Sequence, residues 1–404
     1  MTFFLRLAFR NIFRQKRRSL FTILTIMGSF ILCSVAIGLV YGTYEKVIDT
    51  FTKGHSGHIQ IHAKGFLERP SLFKNIRDWE QFDEKIKGNP DITSSTPRVI
   101  GSSLISVGEK TTGTKIIGID PEKEAQTTTI MTNMEMGRTL ALTPSNEIIL
   151  GNSLSKVLSV KIGDTVILMT QSADGSMSND KFTVVGILSE SRDAMEARNA
   201  YIHITTAQDF FVLGNRIHEY VITLKSYELA KKVAKKLEAN FSDLEVASWE
   251  EIETEFFKAM KADQTGIWID LGIMLFIVSI GVLNTVLMTI LERTREFGIL
   301  KAIGTRPEGI FIMVILETSV LAFVSIAIGI FFALIINFKL SQIGIPYPMP
   351  IEIGGMALHH LYGQLSFFNI WVPALVVSLS SIGVSVIPAI RAAQIVPVKA
   401  IRST

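Results

Sequence analysis

Four long apolar runs limit most strongly how this chain can fold. They span residues 19–44, 266–291, 309–338 and 367–390. A helix needs about 20 apolar residues to cross the hydrocarbon core of a bilayer, so each run is long enough to span a membrane. The first run follows a basic cluster, as the core of a signal peptide does, but it far exceeds the roughly 7–15 residues of such a core. We therefore predict a membrane α-helical protein with four retained transmembrane helices.

The composition agrees with a membrane protein that also has a large aqueous part. Hydrophobic residues make up 48% of the 404-residue chain and charged residues only 19%, whereas soluble domains average about 25% charged. The net charge is only +3, so charge is informative mainly through where the basic residues lie. Cys33 is the only cysteine, which excludes an intrachain disulfide and a cysteine-based zinc site.

Basic residues are concentrated at particular ends of the apolar runs. They are Arg6, Arg10, Arg14, Lys16, Arg17 and Arg18 before the first run, Arg293, Arg295, Lys301 and Arg306 between the second and third, and Arg391, Lys399 and Arg402 after the fourth. Because cytoplasmic loops of membrane proteins are enriched in Lys and Arg, both termini and segment 292–308 are predicted to be cytoplasmic. Residues 45–265 and the loop 339–366 are then extracytoplasmic, and residues 391–404 form a cytoplasmic tail.

Residues 1–18 have the pattern of an amphipathic helix. Arg6, Arg10 and Arg14 follow each other at four-residue spacing, and phenylalanines such as Phe3 lie elsewhere on the helix surface. Such a segment favours the headgroup region of a membrane, where it forms a cytoplasmic elbow before the first span. A basic flank that only fixes the topology is the alternative interpretation.

The extracytoplasmic region 45–265 carries alternating apolar patterns separated by turn signals. The predicted strands are residues 57–63, 98–108, 114–120, 147–151, 164–170, 181–189, 200–204 and 219–225. The predicted helices are residues 152–159, 205–213 and 226–241, the last with Ser226 as its N-cap. Because strands and helices are interspersed and the region exceeds the usual domain length of about 100–150 residues, we predict a large extracytoplasmic α+β domain of two lobes.

Two motifs in this region resemble sites for other chemistry. GEKTTGTK, residues 108–115, nearly matches a phosphate-binding loop, but its Lys and Thr are transposed and it lies between two predicted strands, so we predict a hairpin turn. His55, His58 and His62 are the second motif. His58 and His62 lie on one predicted strand, where about 3.3 Å per residue puts them about 13 Å apart, too far for two ligands of one zinc ion. We predict surface histidines, no metal site and no catalytic residues.

Two polar residues, Asn284 and Glu317, lie inside the second and third apolar runs. An acid at the centre of a transmembrane helix costs about 2.5–3.5 kcal/mol unless it is paired or hydrated. At 1.5 Å per residue both positions lie roughly 10–13 Å above the cytoplasmic boundary. A short loop makes these two helices antiparallel neighbours, so we predict that Glu317 and Asn284 face each other or a hydrated seam. The pair either stabilises the packing of the helices within one subunit or lies at an interface that moves.

Segment 292–308 is charge-rich and helix-forming, unlike the simple turn that would suffice to join two spans. Its charges are Glu292, Arg293, Arg295, Glu296 and Lys301. Phe297, Leu300 and Ile303 form an apolar face, and Gly304 is a helix-stop signal. We predict a short cytoplasmic helix parallel to the membrane that docks a partner.

The same residues carry a family resemblance. ERTREFGILKAIG (292–304) and IPAIRAAQIVPVKAIR (387–402) resemble the two cytoplasmic motifs of MacB/FtsX-like permeases of type VII ABC transporters. EIILGNSLSKVLSVKIGDTVIL (147–168) is similar to the periplasmic core of that family, and LAFRNIFRQKRRSLFTILTI (7–26) is similar to its elbow and first span. The resemblance covers nearly the whole chain.

This resemblance implies a permease subunit of the bacterial inner membrane that is not itself an enzyme. It implies a partner ABC ATPase dimer in the cytoplasm, which binds ATP and Mg, and a second permease subunit of the same or a homologous chain. No cofactor in this chain and no nucleic-acid partner are expected, while membrane lipids surround the spans. The ATPase-coupling residues implied are Glu292, Arg293, Arg295, Glu296, Phe297 and Lys301.

In this family, ATP-driven closure moves the outer domains, a mode called mechanotransmission. The size of the outer domain looks most like that of lipoprotein-releasing permeases of the LolC/LolE type, which implies lipoprotein release and a lipoprotein or other periplasmic partner. Efflux of amphiphiles or peptides in the manner of MacB, and FtsX-like signalling to a cell-wall hydrolase, are the alternatives. Only residues 1–18 precede the first run, so no fused N-terminal ATPase domain is expected.

Overall fold

The computed structural model of the protein describes residues 16–86, 88–189, 196–353 and 356–402. They fall into two compact units, which are described separately below. The helical unit comprises the residues up to Glu45, Met260–Pro348 and those from His359 onwards. The outer unit comprises Lys46–Ala259 and Met349–Leu358. The predicted elbow of residues 1–18, with Arg6, Arg10 and Arg14, lies almost wholly outside the described residues.

The elements are numbered in chain order. The helices are α1 (Lys16–Phe51), α2 (Glu80–Ile86), α3 (Pro121–Thr127), α4 (Asn152–Leu158), α5 (Ile204–Phe210), α6 (Ala230–Asn240), α7 (Trp249–Ile252), α8 (Thr254–Glu292), α9 (Thr294–Ala302), α10 (Pro307–Ile343), α11 (Phe367–Ala393) and α12 (Pro397–Arg402). The strands are β1 (Ile59–Ala63), β2 (Ile92–Val107), β3 (Lys110–Ile119), β4 (Met134–Gly137), β5 (Glu147–Leu150), β6 (Thr165–Gln171), β7 (Met177–Leu188), β8 (Ala200–His203), β9 (Glu219–Leu224), β10 (Leu244–Ser248), β11 (Ile345–Ile353) and β12 (Met356–Leu361).

The predicted apolar runs form the long helices α1, α8, α10 and α11. Within the described residues, these are the helices that are long and apolar enough to cross a membrane. They share a buried cluster to which α1 contributes Phe30, α8 contributes Val282, α10 contributes Met313 and α11 contributes Ala389. Between α10 and α11, strands β11 and β12 pair in a two-stranded sheet where the sequence predicted only a loop.

Glycines on α1 allow a close approach of another segment of the chain. A Cβ added to Gly42 would lie 2.4 Å from the carbonyl carbon of Gly363, so any side chain there would collide with backbone. The N–H of Gln364 donates to the carbonyl of Gly38 over 2.9 Å. The small face of α1 therefore receives the extended segment that leads into α11, whereas such faces commonly receive a second helix.

Among the described residues, ten strands of the outer unit form one mixed sheet. Its order is β10-β1-β9-β2-β3-β8-β5-β7-β4, and β6 pairs with β2 and β7. The two predicted lobes therefore share one continuous sheet, because all ten strands are connected by hydrogen-bonded pairs. All eight predicted strands are present, while β4 and β10 were missed because each is short and lacks a clear alternation. The Gly108 turn joins β2 to β3 as a hairpin, as predicted, with Gly108 at a φ of 58°.

A charged network lies at the centre of the outer unit. Arg98 on β2 is fully buried and faces Glu219, its cross-strand partner on β9, at 2.9 Å. The same guanidinium holds both oxygens of the buried Glu124 on α3, at 2.6 and 3.1 Å. Burial alone would raise the pKa of Glu219, but Arg98 and then His62 bring it below its ordinary value. One guanidinium therefore connects β2, β9 and α3.

The prediction of surface histidines is wrong for two of the three residues. His58 and His62 are buried, with 1% and 0% exposure, because β1 is covered by its neighbours on both edges and on its face. The Nδ1 atom of His58 accepts the N–H of Leu224 over 2.8 Å. In the described part of the chain, no group of three or more His, Cys, Asp or Glu residues is placed to hold a metal ion.

Candidate coupling site

Helix α9 lies inside the predicted segment and ends at the glycine that the sequence gives as a stop signal. Arg293 breaks the helical path between α8 and α9, with φ −99° and ψ 12°. Glu296 lies in the first turn and Lys301 in the last turn, each on the side that the helix dipole favours. After Ala302, Gly304 adopts a φ of +99°, and the N–H of Thr305 donates to the carbonyl of Leu300. This left-handed glycine ends α9 and directs the chain into α10.

The inward face of α9 is anchored in the helical unit. Phe297 is fully buried in the cluster shared with the long helices. A Cβ on Gly298 would lie 2.6 Å from the Cβ of Ala400, so only glycine allows α12 to pack this closely. Ile303, predicted to belong to the same apolar face, is 75% exposed because it follows the helix end. The anchored face of α9 is therefore shorter than the sequence pattern indicated.

Lys301 faces inward and caps another helix. Its Nζ donates to the carbonyl of Ala393 over 2.8 Å and to that of Ile395 over 2.9 Å. Ala393 is the last residue of α11, so the lysine satisfies carbonyls that a helix end leaves without intrahelical partners. The ammonium of Lys301 therefore makes its hydrogen bonds inside this chain and connects α9 to the end of α11.

Arg293 also faces inward, although the sequence placed it among the charges available to a partner. Only 6% of Arg293 is exposed. Its Nε donates to Glu296 and its Nη1 to Glu317, each over 2.9 Å. The guanidinium carbon lies 5.2 Å from the centre of the Phe297 ring, within the range of cation–π contact. A charge from segment 292–308 therefore reaches the span helix α10.

The predicted pairing of Glu317 with Asn284 is replaced by the ion pair of Glu317 with Arg293. Glu317 is 15% exposed at its side chain, whereas Asn284 lies on an exposed position of α8. The helix break at Arg293 turns this long side chain into the bundle, and a full positive charge stabilises a carboxylate more strongly than a neutral amide does. Sequence reasoning missed the pair because it treated the loop charges and the span charges separately.

The outward side of α9 and of the residues next to it carries what we call the exposed strip. It consists of Arg295 and Ile299 on α9, Glu292 at the end of α8 and Ile303 just after α9, all of them exposed. Glu296 borders the strip with a side chain that is 43% exposed. Ile299 is 47% exposed, a large fraction for an isoleucine on a helix whose other face is anchored. The exposed strip combines apolar area with an arginine, a residue type that is enriched in protein interfaces.

Four membrane-spanning helices, a domain inserted after the first of them and a short helix after the second define a membrane permease. The family described as the MacB-like periplasmic core domain matches residues 19–240. The family described as the FtsX-like permease C-terminal domain matches residues 269–397. The chain belongs to the MacB/FtsX-like permeases of ABC transporters, as its motifs predicted, and the outer unit is their periplasmic α+β domain.

Curated relatives are similar along most of the chain. LolC, the transmembrane protein of the lipoprotein-releasing system of Xylella fastidiosa, is 22% identical over 96% of both chains. The macrolide export ATP-binding/permease protein MacB of Campylobacter jejuni is 24% identical over 91% of this chain, which spans 58% of that protein. The crystal structure of the periplasmic region of MacB from Actinobacillus actinomycetemcomitans aligns with 51% of this chain at 18% identity and a TM-score of 0.37, covering 95% of that chain.

Proposed function

We propose that this permease couples ATP hydrolysis by a separate cytoplasmic ATPase to motion of its periplasmic domain. ABC permeases work with an ATPase, and both matched families are permease domains. The observation that carries the proposal is the division of α9 into an anchored face and an exposed strip. A helix that docks a motor protein needs one face for the motor and a rigid hold on the spans. ATP and Mg would bind to the ATPase dimer, and this chain would hold no cofactor.

The proposed location is the bacterial inner membrane, with both termini in the cytoplasm. The support is the cluster of basic residues before the first span, in segment 292–308 and after the last span. This orientation puts the exposed strip on the side where ATP is available. It puts the outer unit in the periplasm, where a lipoprotein or another periplasmic partner would meet it.

We propose lipoproteins as the cargo, released from the inner membrane by motion of the outer domain. The support is the similarity to LolC along almost the full length of both proteins, whereas similarity to MacB is confined to 58% of that protein. Efflux of amphiphiles or peptides and signalling to a cell-wall hydrolase are the competing outcomes. Proteoliposomes that contain the permease, its ATPase and an acylated lipoprotein should release the lipoprotein only with ATP. Release that is independent of ATP would contradict this cargo.

Charge reversal in the exposed strip tests the docking assignment. In the double variant Arg295→Glu/Ile299→Glu we expect at least a tenfold loss of ATPase affinity, because central interface residues often contribute about 1–4 kcal/mol each. Folding should be unaffected, since both side chains point outward. The measurement is co-elution and ATPase stimulation with the full-length permease in nanodiscs. Lys339→Glu, a charge reversal at an exposed position at the far end of α10, is the control. Normal docking by the strip variant would exclude α9 as the site.

We further propose that two copies of the permease pair along α8. Ile273, Ile277, Ile280 and Leu291 are 53–70% exposed and repeat at the a and d spacing of a coiled coil. Asn284 falls at an a position of the same stripe, where an asparagine from each copy would bond across the two-fold axis. In a Cys33→Ala background, Ile280→Cys should cross-link in membranes, while Phe323→Cys, 77% exposed on α10, should not. Equal cross-linking at both positions, or none at Ile280→Cys, would contradict the seam.

A further inference from the structure

We propose that Arg293 is a positioning residue that carries the displacement of α9 into the span helix α10 through Glu317. In this role Arg293 acts inside the permease and does not touch the ATPase. The inference rests on the proposed function only in that an ATPase moves α9. It assigns the route by which that movement enters the membrane, and it separates Arg293 from the neighbouring charges of the exposed strip.

Arg293 lies at the junction between two helices. It is the single residue between the end of α8 at Glu292 and the start of α9 at Thr294. Its guanidinium bonds Glu296, in the first turn of α9, and Glu317, on α10. At 1.5 Å per residue, Glu317 lies about 15 Å along α10 from its start. One side chain therefore links the cytoplasmic helix to a point well inside the span.

The contacts around the guanidinium leave it little freedom. Carboxylates bind it on two sides, and the buried Phe297 ring lies against it. A guanidinium is planar and has donors in a fixed fork, so two carboxylates held in this way fix its orientation as well as its position. When α9 shifts, Glu296 and Arg293 have to shift with it, and Glu317 follows.

The backbone offers a weaker route between the same helices. The linker of residues 303–306 is non-helical, and Ile303, Gly304 and Arg306 in it are exposed. Gly304 adds backbone freedom at the point where the direction of the chain changes. A linker of this kind absorbs small displacements of α9, whereas the ion pair transmits them. This difference is the reason to assign transmission to the Arg293 side chain.

Single substitutions cannot separate this role from simple stabilisation. Removing either Arg293 or Glu317 alone breaks a buried ion pair, which destabilises a protein whatever the function of the pair. Replacing both partners with apolar side chains of similar length is often neutral for stability. Arg293→Met/Glu317→Met is therefore the informative variant, because it keeps side chains of similar length and removes the ion pair together with the contact of Arg293 with the partly exposed Glu296.

The experiment uses the full-length permease with its ABC ATPase in nanodiscs, in a Cys33→Ala background. Spin labels on Leu32→Cys in α1 and Phe323→Cys in α10, both exposed, report the movement of α10 as a change in their distance distribution. With Mg-ATP and vanadate, the parent should show a shift, on the order of the 1–2 Å that switching helices move. Arg293→Met/Glu317→Met should lose that shift while keeping its thermal stability and ATPase co-elution.

The matched control is Arg138→Met/Glu147→Met, which removes an exposed ion pair of the same chemistry from the outer unit. This control should keep the shift. A full shift in Arg293→Met/Glu317→Met would overturn the inference and reduce the pair to a stabilising contact. Loss of ATPase co-elution in the same variant would also overturn it, because Arg293 would then belong to the docking surface. Failure of the proposed function is recognised separately, by normal co-elution of the exposed-strip variant.

Discussion

Arg98→Met should destabilise the outer unit by about 3–5 kcal/mol, the usual cost of breaking a buried ion pair by removing one partner. The substitution leaves Glu124, which is fully buried, and Glu219, which is 7% exposed, without the guanidinium that pairs with both. Urea unfolding of the full-length chain measures the effect. Replacing Trp268 and Trp371 with Phe leaves the fluorescence of Trp79 and Trp249 as the signal from the outer unit.

Two further variants make the result interpretable. Arg138→Met breaks an exposed ion pair with Glu147, in which the arginine side chain is 57% exposed. Because water screens such pairs, this variant should leave the midpoint of urea unfolding nearly unchanged. If Arg98→Met does not fold, Arg98→Met/Glu124→Gln/Glu219→Gln should recover a folded outer unit, since it removes the unpaired charges as well. An Arg98→Met midpoint equal to that of Arg138→Met would show that the network contributes little.

Acid should weaken the outer unit well above the pH at which most carboxylates titrate. Burial lowers the pKa of His58 and that of His218 to about 4. The geometry agrees with these directions. The Nδ1 atom of His58 accepts the N–H of Leu224, and that of His218 accepts the N–H of Ile100. Each of these nitrogens must therefore be unprotonated to keep its hydrogen bond. The unfolded chain, with a histidine pKa of about 6.5, binds protons first. Stability is therefore complete above about pH 6.5 and falls as the pH drops towards 4.

The expected loss is about 2 kcal/mol for each histidine between pH 7 and pH 5. The measurement is the same urea titration, repeated across this range. In His58→Asn/His218→Asn the asparagine oxygen replaces Nδ1 as acceptor and cannot titrate, so the share of the pH dependence that these two histidines contribute should disappear. The remainder belongs to His55, His62 and His203, whose pKa values burial also lowers. An unchanged slope in this variant would assign the acid sensitivity to other groups. Glu219, whose pKa is below its ordinary value, adds a loss only at lower pH.

The parts of the fold that were predictable are those set by local pattern. A run of about 20 apolar residues, a period-2 strand or a helix that ends at Gly304 is encoded within a few neighbouring positions, so periodicity finds it. The strands β4 and β10 and the pair β11–β12 were not predicted. Each of them has a weak local pattern and forms where a partner strand is available to complete its hydrogen bonds.

The candidate site shows the same division at the level of single residues. Local sequence predicted a helix in segment 292–308 and its charges. It placed Phe297 on the apolar face, but it also counted Phe297 among the residues that meet the ATPase, whereas the structure buries this side chain. It did not distinguish Arg293 and Lys301, which face inward, from Glu292 and Arg295, which face outward. The local sequence assigns all four to the surface, because charged residues are rarely buried unless a partner is present and the partner lies elsewhere in the chain.

The sequence by itself therefore determined the spans, most strands of the outer unit, the short helix after the second span and the permease family. Only the tertiary structure decided which charges are buried, which histidines are neutral and which carboxylate Arg293 holds. The physical reason is that burial and pairing depend on which distant segments meet. Arg293 and Glu317, like Arg98 and Glu219, are separated along the chain and become partners only when the elements that carry them pack together.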